Sequence, residues 1–294
     1  MSDLIDGKTM TEINYPYINY ILRELNKNKS IEKNFGHHIH WGYWEDPMNA
    51  RCDDDHDFFL ATENLTQKLL SLAKIKDNQS VLDVGCGFGG TISLINNHHS
   101  DMQLTGLNID IRQIDRAKRA IAPSLRNIID FTQADACHLP FEKNQFDRIL
   151  AVECIHHFSS RELFFEKAFN ILKPGGILTL SDFISSPILL PSCKVLTLPM
   201  FKQLNFFGYC NITTLNKYKR LASKYNFEMK LVDITINTIP TYNYLQSLIK
   251  KTNFNTFSRI NLIKNLLVMK LISSYRLLTY SIISFTKKEV YNRN

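Results

Sequence analysis

Short apolar runs alternate with stretches of helical spacing along residues 80–182. The apolar runs predict strands at 80–84, 103–109, 129–133, 146–152 and 177–182. Helical spacing predicts a helix over 112–122, which ends at Pro123, and another over 161–172, which ends at Pro174-Gly175-Gly176. Strands that alternate with such helices indicate right-handed crossovers and a parallel sheet covered on both faces. The predicted fold class is therefore α/β, with a doubly wound, Rossmann-like sheet.

The pattern is different on both sides of this core. Residues 1–34 predict helical pieces, and residues 58–72 predict a longer helix with Asp55 as its cap. Residues 185–209 contain three prolines and no regular period, so we interpret them as a cap inserted over a ligand pocket. The remaining segments predict helices at 214–225, 242–251 and 257–274 and strands at 227–236 and 278–285.

The segment V-L-D-V-G-C-G-F-G-G, residues 81–90, connects the first strand of the core to the following helix. Glycines in such a turn allow positive φ and let the backbone approach a ligand closely. A glycine turn alone is also typical of dinucleotide sites. The form L-D-V-G-C-G-F-G-G more specifically resembles the first motif of class I S-adenosylmethionine (SAM) methyltransferases. In that motif an acidic residue, here Asp83, lies beside the methionine part of the cofactor.

Further segments extend the resemblance. They are I-H-W-G-Y-W-E-D (39–46), A-D-A-C-H-L-P-F (134–141), F-D-R-I-L-A-V-E-C-I-H-H-F (146–158) and L-S-D-F (180–183). Together they resemble the bacterial sugar O-methyltransferases of natural-product glycosides, the rebeccamycin and erythromycin tailoring type. The resemblance covers residues 36–185 and is faint in the cap and the C-terminal part. Tocopherol, sarcosine and sterol methyltransferases share much of the same core.

This resemblance implies SAM as the cofactor, a small-molecule methyl acceptor, and a sheet that ends in an antiparallel hairpin. Ligands of open parallel sheets bind beyond the carboxyl ends of the strands. The cofactor-binding residues implied are Asp83, Gly85, Gly87, Gly89, Asn108, Asp110, Gln113, Asp135, Ala136 and Glu153. At the ribose position the family usually has an acid, whereas this chain has Asn108, with Asp110 as a substitute two residues later. Asp135 matches the residue that accepts from the adenine amino group, and capping of a turn is its structural alternative.

His156 and His157 follow the fourth core strand, and Asp182 ends the fifth. Side chains on adjacent strand ends can meet, and a carboxylate then orients an imidazole and stabilises it as it takes a proton. A hydroxyl acceptor requires such a base because a neutral hydroxyl is a poor nucleophile. In the resembled group the histidine doublet and the later aspartate form the general base. The alternative for one histidine, His157 in the first place, is packing or capping of the next helix.

The aromatic segment, residues 36–44, contains three histidines and both tryptophans of the chain. We predict that it is a lid, with His40, Tyr43 and Trp44 covering cofactor and substrate and excluding water. Plain packing is the alternative. A metal site is not predicted, because no Cys, Asp or Glu lies at ligand spacing within the segment.

Composition narrows the class of function. The 294 residues carry a formal net charge of +7, but no basic run is dense enough to propose nucleic acid as a partner. No apolar run approaches the ~20 residues of a membrane span, and residues 1–10 are too polar for a signal peptide. Six cysteines without a C-x-x-C pair favour a reduced, cytoplasmic location. A homo-oligomer is compatible with these features.

We divide the chain into N-terminal helices with the lid segment (1–75), a SAM-binding core (76–184), the cap insertion (185–212) and a C-terminal part of the same domain (213–294). The predicted function is SAM-dependent methylation of a hydroxyl on a small secondary metabolite, a sugar or glycoside among the candidates, with a histidine base. One alternative is an amine or a carbon nucleophile on a terpenoid or sterol-like acceptor. Another is a SAM-binding protein without catalysis, against which the glycine turn and the His and Asp set argue.

Overall fold

The computed structural model describes residues 4–5, 8–9, 16–25, 27, 29–189, 212–252 and 256–289. Its strands are β1 (Leu4–Ile5), β2 (Lys8–Thr9), β3 (Ser80–Val84), β4 (Gln103–Asn108), β5 (Ile128–Gln133), β6 (Phe146–Val152), β7 (Leu172–Ser185), β8 (Phe227–Asp233) and β9 (Leu278–Lys287). Its α-helices are α1 (Pro16–Glu24), α2 (Lys29–Phe35), α3 (Asp55–Ala73), α4 (Gly90–His98), α5 (Ile111–Ala120), α6 (Arg161–Ile171), α7 (Leu215–Lys224), α8 (Thr235–Lys251) and α9 (Thr256–Ser274). Short 3-10 helices are formed by Pro47–Asn49 and Ile155–His157.

Seven strands form one sheet in the order β5-β4-β3-β6-β7-β9-β8. The strands from β5 to β7 in this order are parallel, whereas β9 runs antiparallel to both β7 and β8. The predicted α/β class, with a mostly parallel sheet and an antiparallel C-terminal pair, is confirmed. The strand order reverses between β3 and β6. In sheets of this kind, ligands bind at the carboxyl ends of the strands beside the reversal.

The sheet has a buried apolar layer on each face. Val81 of β3 belongs to the layer that includes residues of α3, α4 and α5, whereas Leu82 and Val84 belong to the layer with α6 and α7. These side chains are fully buried, as expected for a central strand covered on both faces. Successive side chains of a strand alternate between faces, so Asp83 points to the same face as Val81. Its carboxyl is therefore buried at the end of the strand.

The cap of α3 differs from the prediction. The cap is Asp54 and not Asp55, because the Asp54 side chain accepts hydrogen bonds from the backbone N–H groups of His56 and Asp57. These donors have no partner within the helix, so the residue that satisfies them determines where the helix begins. Asp55 is instead the first residue of the helix.

Two predicted strands have boundaries that are wrong by three residues or more, whereas the boundaries of the others differ by at most two. Strand β7 begins at Leu172 and not at 177, because Leu172 already pairs with Phe146 across the sheet. Strand β8 ends at Asp233, where Asp233 Oδ1 accepts hydrogen bonds from the N–H and the hydroxyl of Thr235 and helix α8 begins. The sequence pattern predicts this helix only from residue 242, whereas the helix also includes Pro240.

Most of the predicted cap insertion lies outside the described residues, which do not include 190–211. The division of the chain into four parts therefore stays a prediction. Among the helices that are described, none is long and apolar enough to cross a membrane.

Candidate functional site

A first cavity, of about 340 Å³, lies at the carboxyl ends of β3, β4, β5 and β6. The glycine turn forms one of its walls through Gly85, Gly87 and Gly90. Gly85 and Gly87 have φ angles of 72° and 56°, in the left-handed region that favours glycine. A Cβ on Gly87 would project toward Gln113 Oε1 and the Ile39 side chain, 3.8 Å from each. The bare turn therefore keeps this part of the cavity clear.

The side chain of Asp83 lines the first cavity from within β3. It is buried, and no described residue provides a hydrogen-bond partner for its Oδ2. Burial raises the pKa of Asp83 to about 8, because the charged form is poorly solvated there. A buried acceptor oxygen without a partner in the protein marks a place where a cation or donor of a ligand would be stabilised.

Asn108 and Gln113 line the first cavity beside β4, where the sequence predicts the ribose contacts. The Asn108 side-chain amide donates to Gln113 Oε1 over 3.4 Å, and its Oδ1 accepts from the Asp110 N–H. Asp110 does not line the cavity, since its carboxylate caps α5 and forms an ion pair with Arg112 at 2.6 Å. The geometry therefore favours Asn108 over Asp110 as the ribose contact.

Asp135 and Ala136 follow β5 and line the same cavity. Asp135 Oδ1 accepts from the backbone N–H two residues later at 3.0 Å, and Oδ2 lies 2.6 Å from His138 Nδ1. The carboxylate thus caps a turn, and only its remaining lone pairs are available to a ligand. Gly89 lies behind the turn, where a Cβ would meet Ile121 at 2.5 Å, so it allows α5 to pack closely and does not line the cavity.

A second cavity, of about 130 Å³, adjoins the first. The two cavities share four lining residues, which are Ile39, His40, Glu153 and His157. The apolar residues that line the rest of the second cavity are Ile21, Ile31, Phe35, Trp41, Phe58, Leu245, Leu248, Ile249 and Leu262. Its titratable groups other than Tyr20 lie at the shared wall or next to it. Reactants bound in the two cavities would therefore meet beside Glu153 and the histidines.

His156 and His157 form part of the 3-10 helix after β6, and both line the second cavity. His156 Nδ1 lies 3.8 Å from Asp182 Oδ1, so the structure brings this predicted pair together across the adjacent strands β6 and β7. Burial, together with the neighbouring His156, holds the pKa of His157 well below 6.5. His157 is therefore neutral at neutral pH.

Asp182 is fully buried and held by several donors. Its Oδ2 accepts from Arg161 Nη2 at 2.9 Å and from the Tyr218 hydroxyl at 2.6 Å, and its Oδ1 accepts from the Phe183 N–H. Burial opposes ionisation, but the Arg161 guanidinium, His156 and the Tyr218 hydroxyl together outweigh it, and the pKa of Asp182 lies below its usual value. The carboxylate is therefore ionised and fixed where it faces His156.

Glu153 follows β6 with a φ of 50°, a left-handed conformation that residues other than glycine adopt rarely. Its Oε2 accepts hydrogen bonds from the Trp41 N–H at 2.9 Å and from the Tyr280 hydroxyl at 2.7 Å. Burial raises the pKa of Glu153 to about 8. The residue thus joins the aromatic segment to β6 and β9 at the wall between the two cavities.

The contacts of the aromatic segment differ along its length. His40 lines both cavities. Trp44 is buried against Phe58, and its indole N–H donates to Asp57 at 2.9 Å. Neither Tyr43 nor Trp44 is among the residues that line the two cavities. The lid role of these two residues stays a prediction, and their contacts agree with the packing alternative.

The ring nitrogens of two histidines in this segment have partners within the protein. His40 Nδ1 lies 2.8 Å from the Trp41 carbonyl oxygen, and its Nε2 lies 3.0 Å from His38 Nδ1. His38 Nε2 lies 2.8 Å from Glu63 Oε1. Within the described part of the chain, no three His, Cys, Asp or Glu side chains are grouped so that they could hold a metal ion.

The sequence pattern missed the partners of the titratable groups. Arg161 and Tyr218 hold Asp182, and Tyr280 holds Glu153. Tyr280 is 127 positions from Glu153 along the chain, so no local motif could reveal this pair. The one available signal was the charged Arg161 at the start of α6, directly after the histidine region.

Residues 82–180 match a family model described as a methyltransferase domain. Methyltransferase GfsG of Streptomyces halstedii is 27% identical over 222 residues, which are 73% of this chain and 74% of that protein. The 27-O-demethylrifamycin SV methyltransferase of Amycolatopsis mediterranei is 32% identical over 158 residues, 53% of this chain and 55% of that protein. Erythromycin 3''-O-methyltransferase of Saccharopolyspora erythraea is 31% identical over 150 residues, 51% and 47% of the two chains.

The chain contains a methyltransferase domain of the class I, SAM-dependent type at residues 82–180. It spans about three quarters of the first of these relatives and about half of the other two. A solved structure of a putative sarcosine dimethylglycine methyltransferase from Galdieria sulphuraria has a TM-score of 0.73 and 18% identity, over 94% of this chain and 99% of that one. At this identity the likeness shows the methyltransferase fold alone.

The first cavity of this methyltransferase suits SAM. The unpartnered buried oxygen of Asp83 would hold the ammonium group of the methionine part. Asn108 and Gln113 present amide groups that can bind the two ribose hydroxyls. Gly87 leaves the space beside them open. The cofactor is SAM, and the role of each residue toward it stays a prediction.

Gly87→Val is expected to weaken SAM binding by about 10- to 100-fold, because overpacking typically costs ~1–3 kcal/mol and the new side chain would point into the first cavity. Gly175→Val is the matched control, because Gly175 also has a positive φ, 73°, but lies away from both cavities. Calorimetric titration with SAM measures the effect. Equal affinity in wild type and Gly87→Val would show that the cofactor binds elsewhere.

Proposed function

We propose that this methyltransferase methylates a hydroxyl of a small, predominantly apolar secondary metabolite, with His156 and Asp182 as its base unit. The observation that supports the proposal is the junction of the two cavities, where a polar cavity suited to SAM adjoins an apolar one beside a histidine pair. SAM, when bound, supplies an electrophilic methyl group on a sulfonium centre. The second cavity is then the place for the acceptor.

The lining of the second cavity favours an apolar acceptor over a bare sugar. Aliphatic and aromatic side chains form most of its described wall, and the polar groups are concentrated toward the first cavity. A sugar ring would bring several hydroxyls against that apolar wall, and a buried hydroxyl without a partner is unfavourable. A hydrocarbon or polyketide-like scaffold with one hydroxyl directed at the histidines would fit both parts of the wall.

The base unit would accept the proton that the hydroxyl loses when it is methylated. His156 Nδ1 faces the ionised Asp182, and Nε2 is the ring nitrogen that would accept the proton from the acceptor. The carboxylate would stabilise the imidazolium that forms, as in other His–Asp pairs. Arg161 and Tyr218 hold Asp182 in place, so little reorganisation is needed during the reaction.

A panel of matched acceptors tests the proposal. Apolar alcohols, the corresponding amines and free sugars would be incubated with the enzyme and SAM, and the position of the new methyl group determined by mass spectrometry and NMR. O-methylation of the apolar alcohols is the expected result. Methylation of the amines or of carbon would support the alternative acceptor class, and SAM binding without turnover on any acceptor would support the non-catalytic alternative.

Filling the second cavity separates acceptor binding from cofactor binding. Leu245 lines this cavity and not the first. Leu245→Trp is therefore expected to raise the KM for the acceptor by at least about tenfold, the effect of ~1.4 kcal/mol of lost binding, while the Kd for SAM stays unchanged. Leu245→Met, which conserves volume, is the control and should keep both values. If Leu245→Trp left the acceptor KM unchanged, the acceptor would have to bind elsewhere.

A further inference from the structure

The carboxyl of Glu153 has features that the base unit does not require. It is buried at the wall shared by the two cavities, and only one of its two oxygens, Oε2, is used by Trp41 and Tyr280. Its backbone has a φ of 50°, and a strained conformation at a functional site persists only where the surrounding structure enforces it. The structure therefore holds a carboxyl in a place where a neutral side chain would be easier to bury.

We propose that Glu153 recognises the positive charge of the sulfonium and thereby makes the enzyme bind SAM in preference to S-adenosylhomocysteine (SAH), its uncharged product. The proposal rests on SAM binding in the first cavity and does not depend on the nature of the acceptor. A methyl group that passes from the first cavity to the second must cross their shared wall, and Glu153 is the one carboxyl among the four residues of that wall.

The charge balance of the first cavity supports this assignment. Asp83 and Glu153 both line it, and the described residues form no ion pair with either carboxyl through a lysine or arginine. Asp135 lines the cavity too, but its oxygens are already bonded to the Cys137 N–H and to His138 Nδ1. SAM carries two cationic groups, so its ammonium would face Asp83 and its sulfonium Glu153. The carboxylate of SAM is shared by SAH and does not affect the comparison. SAH keeps the ammonium and loses the sulfonium charge. Glu153 would therefore stay protonated and neutral when SAH binds, and SAH would gain nothing from ionisation of this carboxyl.

A purely structural role for Glu153 predicts a different result. In that case its task would be to accept the hydrogen bonds from Trp41 and Tyr280, which a glutamine side-chain oxygen can also accept. Glu153→Gln would then leave the affinities for SAM and SAH in the same ratio as in wild type. If Glu153 recognises the sulfonium charge, the ratio of SAM affinity to SAH affinity must change in Glu153→Gln.

The decisive experiment is calorimetric titration of wild type and Glu153→Gln with SAM, SAH and sinefungin, which has an amine in place of the methylated sulfur. Glu153→Gln is expected to lose about 10- to 100-fold in affinity for SAM, the range for a hydrogen bond or contact to a charged group. Sinefungin should lose a similar factor and SAH less than about threefold. Tyr242→Phe, which removes a buried hydroxyl bonded to Ser273 outside both cavities, is the control for disturbance of the fold.

The wild-type protein provides a second test that needs no variant. With a pKa of about 8, Glu153 is largely protonated at pH 6, and SAM would have to displace that proton. The ratio of SAM affinity to SAH affinity should therefore rise by up to about tenfold per pH unit from pH 6 and level off near pH 8. Asp83 faces the ammonium that both ligands carry, so its titration leaves the ratio unchanged. Glu153→Gln should make the ratio independent of pH.

Other titratable groups surround Glu153 and are present in both proteins. They are His40, Cys154, His156, His157, Asp182, Tyr242 and Tyr280. Comparison of wild type with Glu153→Gln removes their contribution. A SAM to SAH ratio that is the same in both proteins, or independent of pH in wild type, would overturn the proposal. Absence of SAM binding to wild type would instead overturn the assignment of the cofactor cavity.

Discussion

Replacing His156 by alanine is expected to lower turnover by about 10²- to 10⁴-fold, the usual contribution of a positioned general base, with SAM affinity close to that of wild type. The imidazole faces Asp182 at 3.8 Å and lines the second cavity but not the first. Its loss therefore removes the base and leaves the cofactor contacts in place. The measurements are kcat with a methylated acceptor and the calorimetric Kd for SAM.

Asp182→Asn is expected to reduce kcat to a similar extent. The double variant should lose little more than the larger single loss, because the two residues act as one unit. His99→Ala is the control: His99 also pairs with an aspartate, Asp77 at 3.3 Å, but lies outside both cavities. Its turnover should equal that of wild type.

The pH profile distinguishes the two histidines. The pKa of His157 is held well below 6.5 by burial, so a rate that depended on its deprotonation would already be constant at pH 6.5 and above. A kcat that still rises above pH 6.5 would exclude His157 as the base. Full turnover in His156→Ala, His157→Ala and Asp182→Asn would contradict the histidine-base proposal and favour an amine or a carbon acceptor.

Arg161→Met is expected to lower the free energy of unfolding by roughly 3–5 kcal/mol, the cost of removing one partner of a buried ion pair. Both side chains of the Arg161–Asp182 pair are almost inaccessible to solvent, at 1% exposure each. The variant would leave the Asp182 carboxylate buried without the guanidinium, beside the Tyr218 hydroxyl, the Phe183 N–H and His156. Urea unfolding followed by circular dichroism measures the loss. Arg126→Met, which breaks an exposed pair with Asp101, is the control and should change little.

The pH dependence of this effect has a definite sign. In wild type the depressed pKa of Asp182 contributes stability that is present above the ordinary pKa of about 3.8 and is lost as the pH falls through the lower folded value. In Arg161→Met the guanidinium no longer offsets burial, so the pKa of Asp182 rises relative to wild type although Tyr218 and His156 remain beside it. The variant should therefore gain stability as the pH is lowered from 7 toward 5, because protonation removes the unpaired charge. A variant as stable as wild type at pH 7 would show that the pair does not stabilise the fold.

Much of the core could be predicted from the sequence because its signals are local. The glycine turn directly follows its strand, so the strand–turn–helix geometry places these residues together. The doublet at 156–157 is likewise a local signal, because it follows the end of its own strand. The β3 and β6 strands have the predicted bounds. The wrong boundaries, at the cap of α3, the start of β7 and the start of α8, depend on individual hydrogen bonds that hydrophobic periodicity does not report.

In the candidate site, too, some features could be predicted from the sequence and others could not. The sequence alone determined the α/β class and predicted the carboxyl edge of the sheet as the candidate site and the approach of a histidine to Asp182, because parallel strands bring their ends to one edge. Only the tertiary structure decided that Arg161 and Tyr218 hold Asp182, that Trp44 packs against α3, and that Glu153 stands between two cavities. These relations join elements up to 127 positions apart, as between Glu153 and Tyr280. Burial and charge at such contacts arise only when the distant elements pack, so they leave no pattern in the chain.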